Sequence, residues 1–133
     1  MTFRVALLAM AGVYLLNLAA LPLGIYAAWT SFDVPMHALG GFVAGMLGIA
    51  VHHALTDKHH FQRTPFWYHI LFVTSFVVLV AVAWEFHEYL IDNTLGAWYG
   101  WRPTQPSIGD TMLDLLMGAV GAVVSVFAFK SKL

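Results

Sequence analysis

Long apolar stretches alternate with short polar connections along the chain. No Asp, Glu, Lys or Arg interrupts the 28 positions between Arg4 and Asp33, the 23 between Asp33 and Asp57, or the 21 between Arg63 and Glu85. Each run exceeds the ~20 residues that an α-helix needs to cross the hydrocarbon core of a bilayer. A fourth run of 15 uncharged residues follows Asp114, and it reaches spanning length when its helix starts near Ser107 and carries Asp110 and Asp114 in its first turns. A backbone in hydrocarbon must satisfy its own hydrogen bonds, which favours helices here over the weakly alternating strands of a barrel. The pattern predicts an all-α membrane protein, a single domain of four transmembrane helices at about residues 5–29, 33–55, 66–92 and 107–129. The first run opens after Arg4 as a signal peptide does, but it is longer than the ~7–15 apolar residues of a cleaved signal. It reads as a retained helix whose outer third is bent by Pro22 and Gly24.

Composition and charge sharpen this picture. Of 133 residues, 60% are hydrophobic and 10% charged, with mean hydropathy +0.76, against ~25% charged in a soluble domain; a water-soluble globule is excluded. With four spans, Arg4, Lys58, Arg63, Lys130 and Lys132 fall on one side, and positive charge marks the cytoplasm. Both termini are therefore expected to be cytoplasmic. The net charge of −1 divides into −5 outside, from six acids and Arg102, and +4 inside, from five basic residues and Asp57. Trp29, Trp98, Trp101, Tyr26 and Tyr99 are expected in an outer aromatic belt, and Trp67 and Tyr68 in an inner one. Six Lys and Arg without a cluster exclude nucleic acid as a partner. The absence of Cys excludes disulfides and thiolate metal sites.

The acids converge at one depth. At ~1.5 Å per residue, His37 lies roughly 6 Å below Asp33, and Glu85 lies roughly 28 Å above the start of the third helix, with Glu88 and Asp92 beyond it. The fourth helix brings Asp110 and Asp114 into the same outer layer. At about 100° per residue, Asp33 and His37 share a face with Gly41, Gly48 and His52, and Asp110 and Asp114 share one with Gly118 and Gly121. Glu85, Glu88 and Asp92 line one face of the third helix, and His87 points the other way. Small residues mark close helix contacts in membranes, so these acidic faces look inward. Asp33 also suits an N-cap, and Ser107 with Asp110 matches a capping box. Asp114, His37 and Glu85 lie further inside their helices, where an ionisable side chain costs ~2.5–3.5 kcal/mol near the bilayer centre and marks a functional site by default. Gly40, Gly41, Gly45 and Gly48 read as one packing stripe. Asn17 reads as an interhelical hydrogen bond, His52, His53, His59 and His60 as a solvated loop, and His69 as interfacial.

Carboxylates crowded together raise one another's pKa unless some hold protons or a cation binds among them. An imidazole with several carboxylates suits a divalent ion such as Zn, Mn or Fe, and an all-oxygen subset suits Mg or Ca. The expected ligands are His37, Glu85, Glu88 and Asp114, with Asp33 or Asp110 as the neighbouring catalytic base. No H-E-x-x-H or ferritin-like Glu-x-x-His pair is present. The segment from Asn93 to Pro106 lies above this layer as a semi-rigid lid, and its Arg102 either anchors at the interface or holds a substrate anion by its planar fork.

Taken in order, Phe32 and Asp33, then His37, Gly40, Gly41 and Phe42, then Trp84, Glu85 and Glu88, then Asp110, Thr111, Asp114, Leu115 and Gly121 resemble the small bacterial VanZ-like and YjdF-like membrane protein families. The resemblance covers the second to fourth helices. Those families show D-K-x-x-H at the second helix; Val34 replaces the Lys here, which removes a cation beside Asp33. The resemblance implies a four-helix protein of the bacterial inner membrane, linked on the VanZ side to glycopeptide resistance, and it supports the site more than a reaction. Two functions follow: a metal-dependent hydrolase or transferase acting on an envelope or lipid-linked substrate, or a proton or cation transport protein using the same acids. Membrane lipids are the expected surroundings.

Overall fold

A computed structural model describes residues 2–59 and 64–132. Helix α1 (Phe3–Ala20) is capped by Thr2, whose hydroxyl accepts the Val5 N–H. The first apolar run is not one bent helix. It stops at Ala20, turns through Gly24 at φ +69°, and resumes as the single turn α2 (Ile25–Ala28). Pro22 has no N–H to donate and its ring meets the carbonyl four residues back, and Gly24 takes the left-handed conformation that side chains disfavour. The remaining elements are α3 (Asp33–His59), α4 (Phe66–Ile91), a π-helical turn (Asp92–Gly96) that leads into α5 (Ala97–Tyr99), and α6 (Ile108–Ala128). The Ser107 hydroxyl accepts the Asp110 N–H at the start of α6, which is the serine half of the capping box expected from S-x-x-D. Four of these helices are long and apolar enough to cross a membrane. His60 and Arg63, used above for the loop and the orientation, lie outside the described residues, as do the side chains of Asp57, Lys58 and His59.

The protein buries small and polar groups and turns large apolar ones outward: Leu8, Leu79 and Phe86 are among its most exposed side chains. Lipid tails are as apolar as Leu, so helix association in a bilayer relies on close packing instead of apolar burial. Helix α3 packs against α1, α4 and α6, and its approach to α6 is a backbone contact. A Cβ on Gly41 would land on the Gly118 backbone, one on Gly121 on the carbonyl of Ala38, and one on Gly45 on the Ser125 side chain. Gly48 abuts the Phe76 ring. Gly40 does not belong to this stripe, because a Cβ there meets nothing within 4 Å. Below these contacts a dry core forms from Ala44, Ile49, Val73, Val77, Ala122 and Val126.

Tyr26 and His52 sit differently from their sequence reading. The turn at Pro22–Gly24 carries Tyr26 into the bundle, where it is buried, while Trp29 and Trp98 stay exposed as belt residues do. His52 and His69 are buried too. His52 continues the inward face one turn after Gly48, and its ring meets that of His69 edge-on with centroids 4.8 Å apart.

Candidate metal centre

The first two turns of α3 present Asp33 and His37 on one face, the last two turns of α4 present Glu85 and Glu88, and the second turn of α6 presents Asp114. The Gly41–Gly118 contact, one turn below His37 and Asp114, draws these faces together. His37 becomes the hub. Its Nε2 lies 3.3 Å from Asp33 Oδ1, 3.8 Å from Glu88 Oε2 and 3.8 Å from Asp114 Oδ2, and its Nδ1 lies 3.9 Å from Glu85 Oε1. All five side chains are at least nine-tenths buried, and Asp114 is 1% exposed.

Burial of charge at this density normally brings compensating partners. Among the described residues, no Lys or Arg forms an ion pair with any of these acids; His37 is their sole basic neighbour at that range. Both oxygens of Glu88, both of Asp114, Oε1 of Glu85 and Nε2 of His37 lack a hydrogen-bond partner. Two sets, Asp33–His37–Asp114 and His37–Glu85–Glu88, each offer one ligand atom per residue with all atoms within 4.8 Å of one another. An ion at ~2.0–2.2 Å from four tetrahedral donors holds them roughly 3.4 Å apart, so an inward movement of about 1 Å or less by each donor suffices. The Nε2 side carries three carboxylates. The Nδ1 side faces Glu85 alone, the place where a ligating histidine usually donates its other N–H.

Surrounding groups hold this cluster in place. The Gln105 amide donates to the backbone carbonyl of Glu85 and to its carboxylate, closing the loop over the site. The Tyr26 hydroxyl donates to Asn17 Oδ1 and lies 3.5 Å from Asp33 Oδ1. Burial, then the neighbouring Asp33 carboxylate, pushes the Tyr26 phenol above its ordinary range, so it stays a donor. Asn17 thus makes the interhelical kind of bond expected of it, although its partner comes from the turn. Neither Tyr26 nor Gln105 carries a sequence signal, because both reach the site through irregular backbone.

The other candidates are placed as follows. Asp110, whose backbone N–H the Ser107 hydroxyl accepts, lies one turn above Asp114, and its Oδ2 is buried without a partner among the described residues. Asp92 stands outside the cluster: its carboxylate accepts the N–H and hydroxyl of Thr104 and the N–H of Gln105, which pins the loop to the end of α4. Phe32 O accepts the Met36 N–H at the start of α3, which frees the Asp33 carboxylate for His37. Exposed Arg102 spends Nη1 on the Tyr26 carbonyl at 2.6 Å, tying the loop to α2. His87 faces α1, with Nε2 3.5 Å from the Tyr14 hydroxyl.

Four apolar helices around a buried cluster of acids and one histidine define an integral membrane protein with a candidate metal centre. Over residues 1–132 the chain matches the family described as predicted membrane protein (DUF2238), and it belongs to that family. No curated protein and no solved structure matches it.

Proposed function

We propose that this chain is a metal-dependent enzyme of the bacterial inner membrane, multi-pass, acting on a lipid-linked or envelope substrate at the outer leaflet. The observation that supports it most is the set of unpartnered, buried donor atoms around His37 with no Lys or Arg among the described residues to balance them. His37, Glu85, Glu88 and Asp114 would hold the ion as ligands, and Asp33 stands beside Tyr26 as the group that takes up a proton. A bound Zn, Mn, Fe or Mg ion would polarise a carbonyl or phosphoryl oxygen or lower the pKa of a water. Gln105 and Asp92 hold the loop that keeps bulk water off these groups, and Arg102 at its rim suits a substrate anion with the donors that Tyr26 leaves free. The VanZ-like and YjdF-like resemblance of residues 32–42, 84–88 and 110–121 agrees with a site in this position.

The transport alternative needs polar groups through the bundle. Below the cluster lies the apolar core of Ala44, Ile49, Val73, Val77, Ala122 and Val126, and Ser125 beside it spends its hydroxyl on the Ala122 carbonyl. The enzyme reading is therefore preferred. Elemental analysis of detergent-purified protein tests it: stoichiometric metal in wild type, lost in Glu85→Ala and Asp114→Ala, is expected. Metal-free wild type after supply of Zn, Mn, Fe and Mg overturns it.

A further inference from the structure

Helices α1 and α4 both pack on α3, and an apolar crevice of about 50 Å³ runs between them. Its floor is one face of α3, formed by Met36, Gly40 and Ala44, and its walls include Met10 of α1 and Val80 of α4. The upper end is polar and belongs to the metal centre: Asn17, Asp33 and His37 line it. These three are at least nine-tenths buried, and His37 Nε2 has no hydrogen-bond partner. Tyr14 and Trp84 also line the crevice, ring centroids 5.8 Å apart and edge-to-face.

Gly40 gives the crevice its significance. A glycine inside a helix costs about 1 kcal/mol relative to alanine, and at Gly41, Gly45 and Gly48 close contacts with α6 or Phe76 account for it. At Gly40 no neighbour does, since a Cβ there meets open space. What its missing side chain leaves free is the crevice floor. Ala44 lies about 10 Å along α3 from His37, toward the middle of the membrane. Water is a poor occupant at that depth, because it needs two or more polar partners and the lower lining offers apolar atoms. A second copy of the chain fits no better, as a volume of about 50 Å³ is far below that of a helical turn ~10 Å across. The remaining filler, abundant on every side of the bundle, is hydrocarbon.

We infer that the crevice takes a short segment of one hydrocarbon tail of a membrane lipid, the rest of the tail staying in the bilayer between α1 and α4, and that this brings the polar end of that lipid to His37. The second half of this inference rests on the proposed metal centre; the first does not.

The test uses the full chain in phosphatidylglycerol–phosphatidylethanolamine vesicles containing a phospholipid with a photoreactive diazirine on its acyl chain, and maps adducts by peptide mass spectrometry. Adducts are expected to concentrate on Met10, Tyr14 and Trp84 relative to the outward-facing Leu8 and Leu79. They fall severalfold in Gly40→Phe and Gly40→Leu, whose stability is checked in parallel. Gly12→Phe, at another glycine with open space around it, leaves them unchanged. Labelling spread evenly over the lipid-facing side chains, labelling unaffected in both folded Gly40 variants, or cross-links between two copies at Met10 overturns the inference. The assay is repeated after chelation and with His37→Ala. Crevice labelling that survives chelation retains the tail site whatever the metal; crevice labelling in a protein that holds no metal as purified, even after Zn, Mn, Fe and Mg are supplied, retains the tail site and discards the metal centre; uniform labelling of a metal-loaded protein discards the tail site and retains the metal centre.

Discussion

The backbone of Gly118 fills the space in which a side chain on Gly41 would begin: a Cβ there would stand 2.7 Å from Gly118 Cα. His37 lies one turn before Gly41 and Asp114 one turn before Gly118. The contact is thus the joint from which the candidate site is hung, and it places Asp114 Oδ2 3.8 Å from His37 Nε2.

Gly41→Ala is expected to force α3 and α6 apart and to destabilise the bundle by ~1–3 kcal/mol, the usual range for overpacking. Gly40→Ala, one residue away with open space before it, is expected to be neutral or stabilising by up to ~1 kcal/mol. Denaturant unfolding of the two variants in micelles checks this. Equal costs would mean that the α3–α6 contact does not set the helix separation.

His37→Ala removes the one nitrogen donor of the cluster, and bound metal is expected to fall below stoichiometry. His87→Ala removes an imidazole from the opposite face of α4 and is expected to retain metal. Elemental analysis of the pair separates specific ligation from adventitious binding to histidine; equal loss would count against the site.

Asp92→Ala leaves the Thr104 and Gln105 N–H groups without their acceptor. Faster hydrogen exchange across residues 103–106 is expected, with metal content unchanged. A loss of metal in this variant would put Asp92 among the ligands and contradict its position as a staple for the loop.

Tyr26→Phe leaves the buried Asn17 amide without its donor, at an expected cost of ~1–3 kcal/mol. Asn17→Leu removes the other partner, and the double variant is expected to lose less than the sum of the two. Additive losses in a double-mutant cycle followed by unfolding would show that the bond between Asn17 and Tyr26 contributes nothing.

Helix number, and the common depth and inward faces of Asp33, His37, Glu85, Glu88 and Asp114, were legible because both depend on periodicity alone. Charge-free runs mark spans, and 1.5 Å and about 100° per residue set depth and face. Where the chain leaves that geometry, the reading failed. Pro22 and Gly24 break the first helix and turn Tyr26 inward, and the loop after Gly100 folds back so that Gln105 reaches Glu85. His52 looked solvated by its polar company, although its face already pointed to the core.

The sequence by itself determined the class of the protein: residues without charge over lengths that cross a bilayer have to form helices, and the few acids inside them have to face one another, because hydrocarbon solvates neither bare backbone nor carboxylate. Only the tertiary structure decided which side chains meet. It set Asp92 apart as a loop anchor, joined Tyr26 to Asn17 and Asp33, and separated Gly40 from its neighbouring glycines. Such distinctions depend on distances between elements far apart in the chain, and local periodicity carries no information about them.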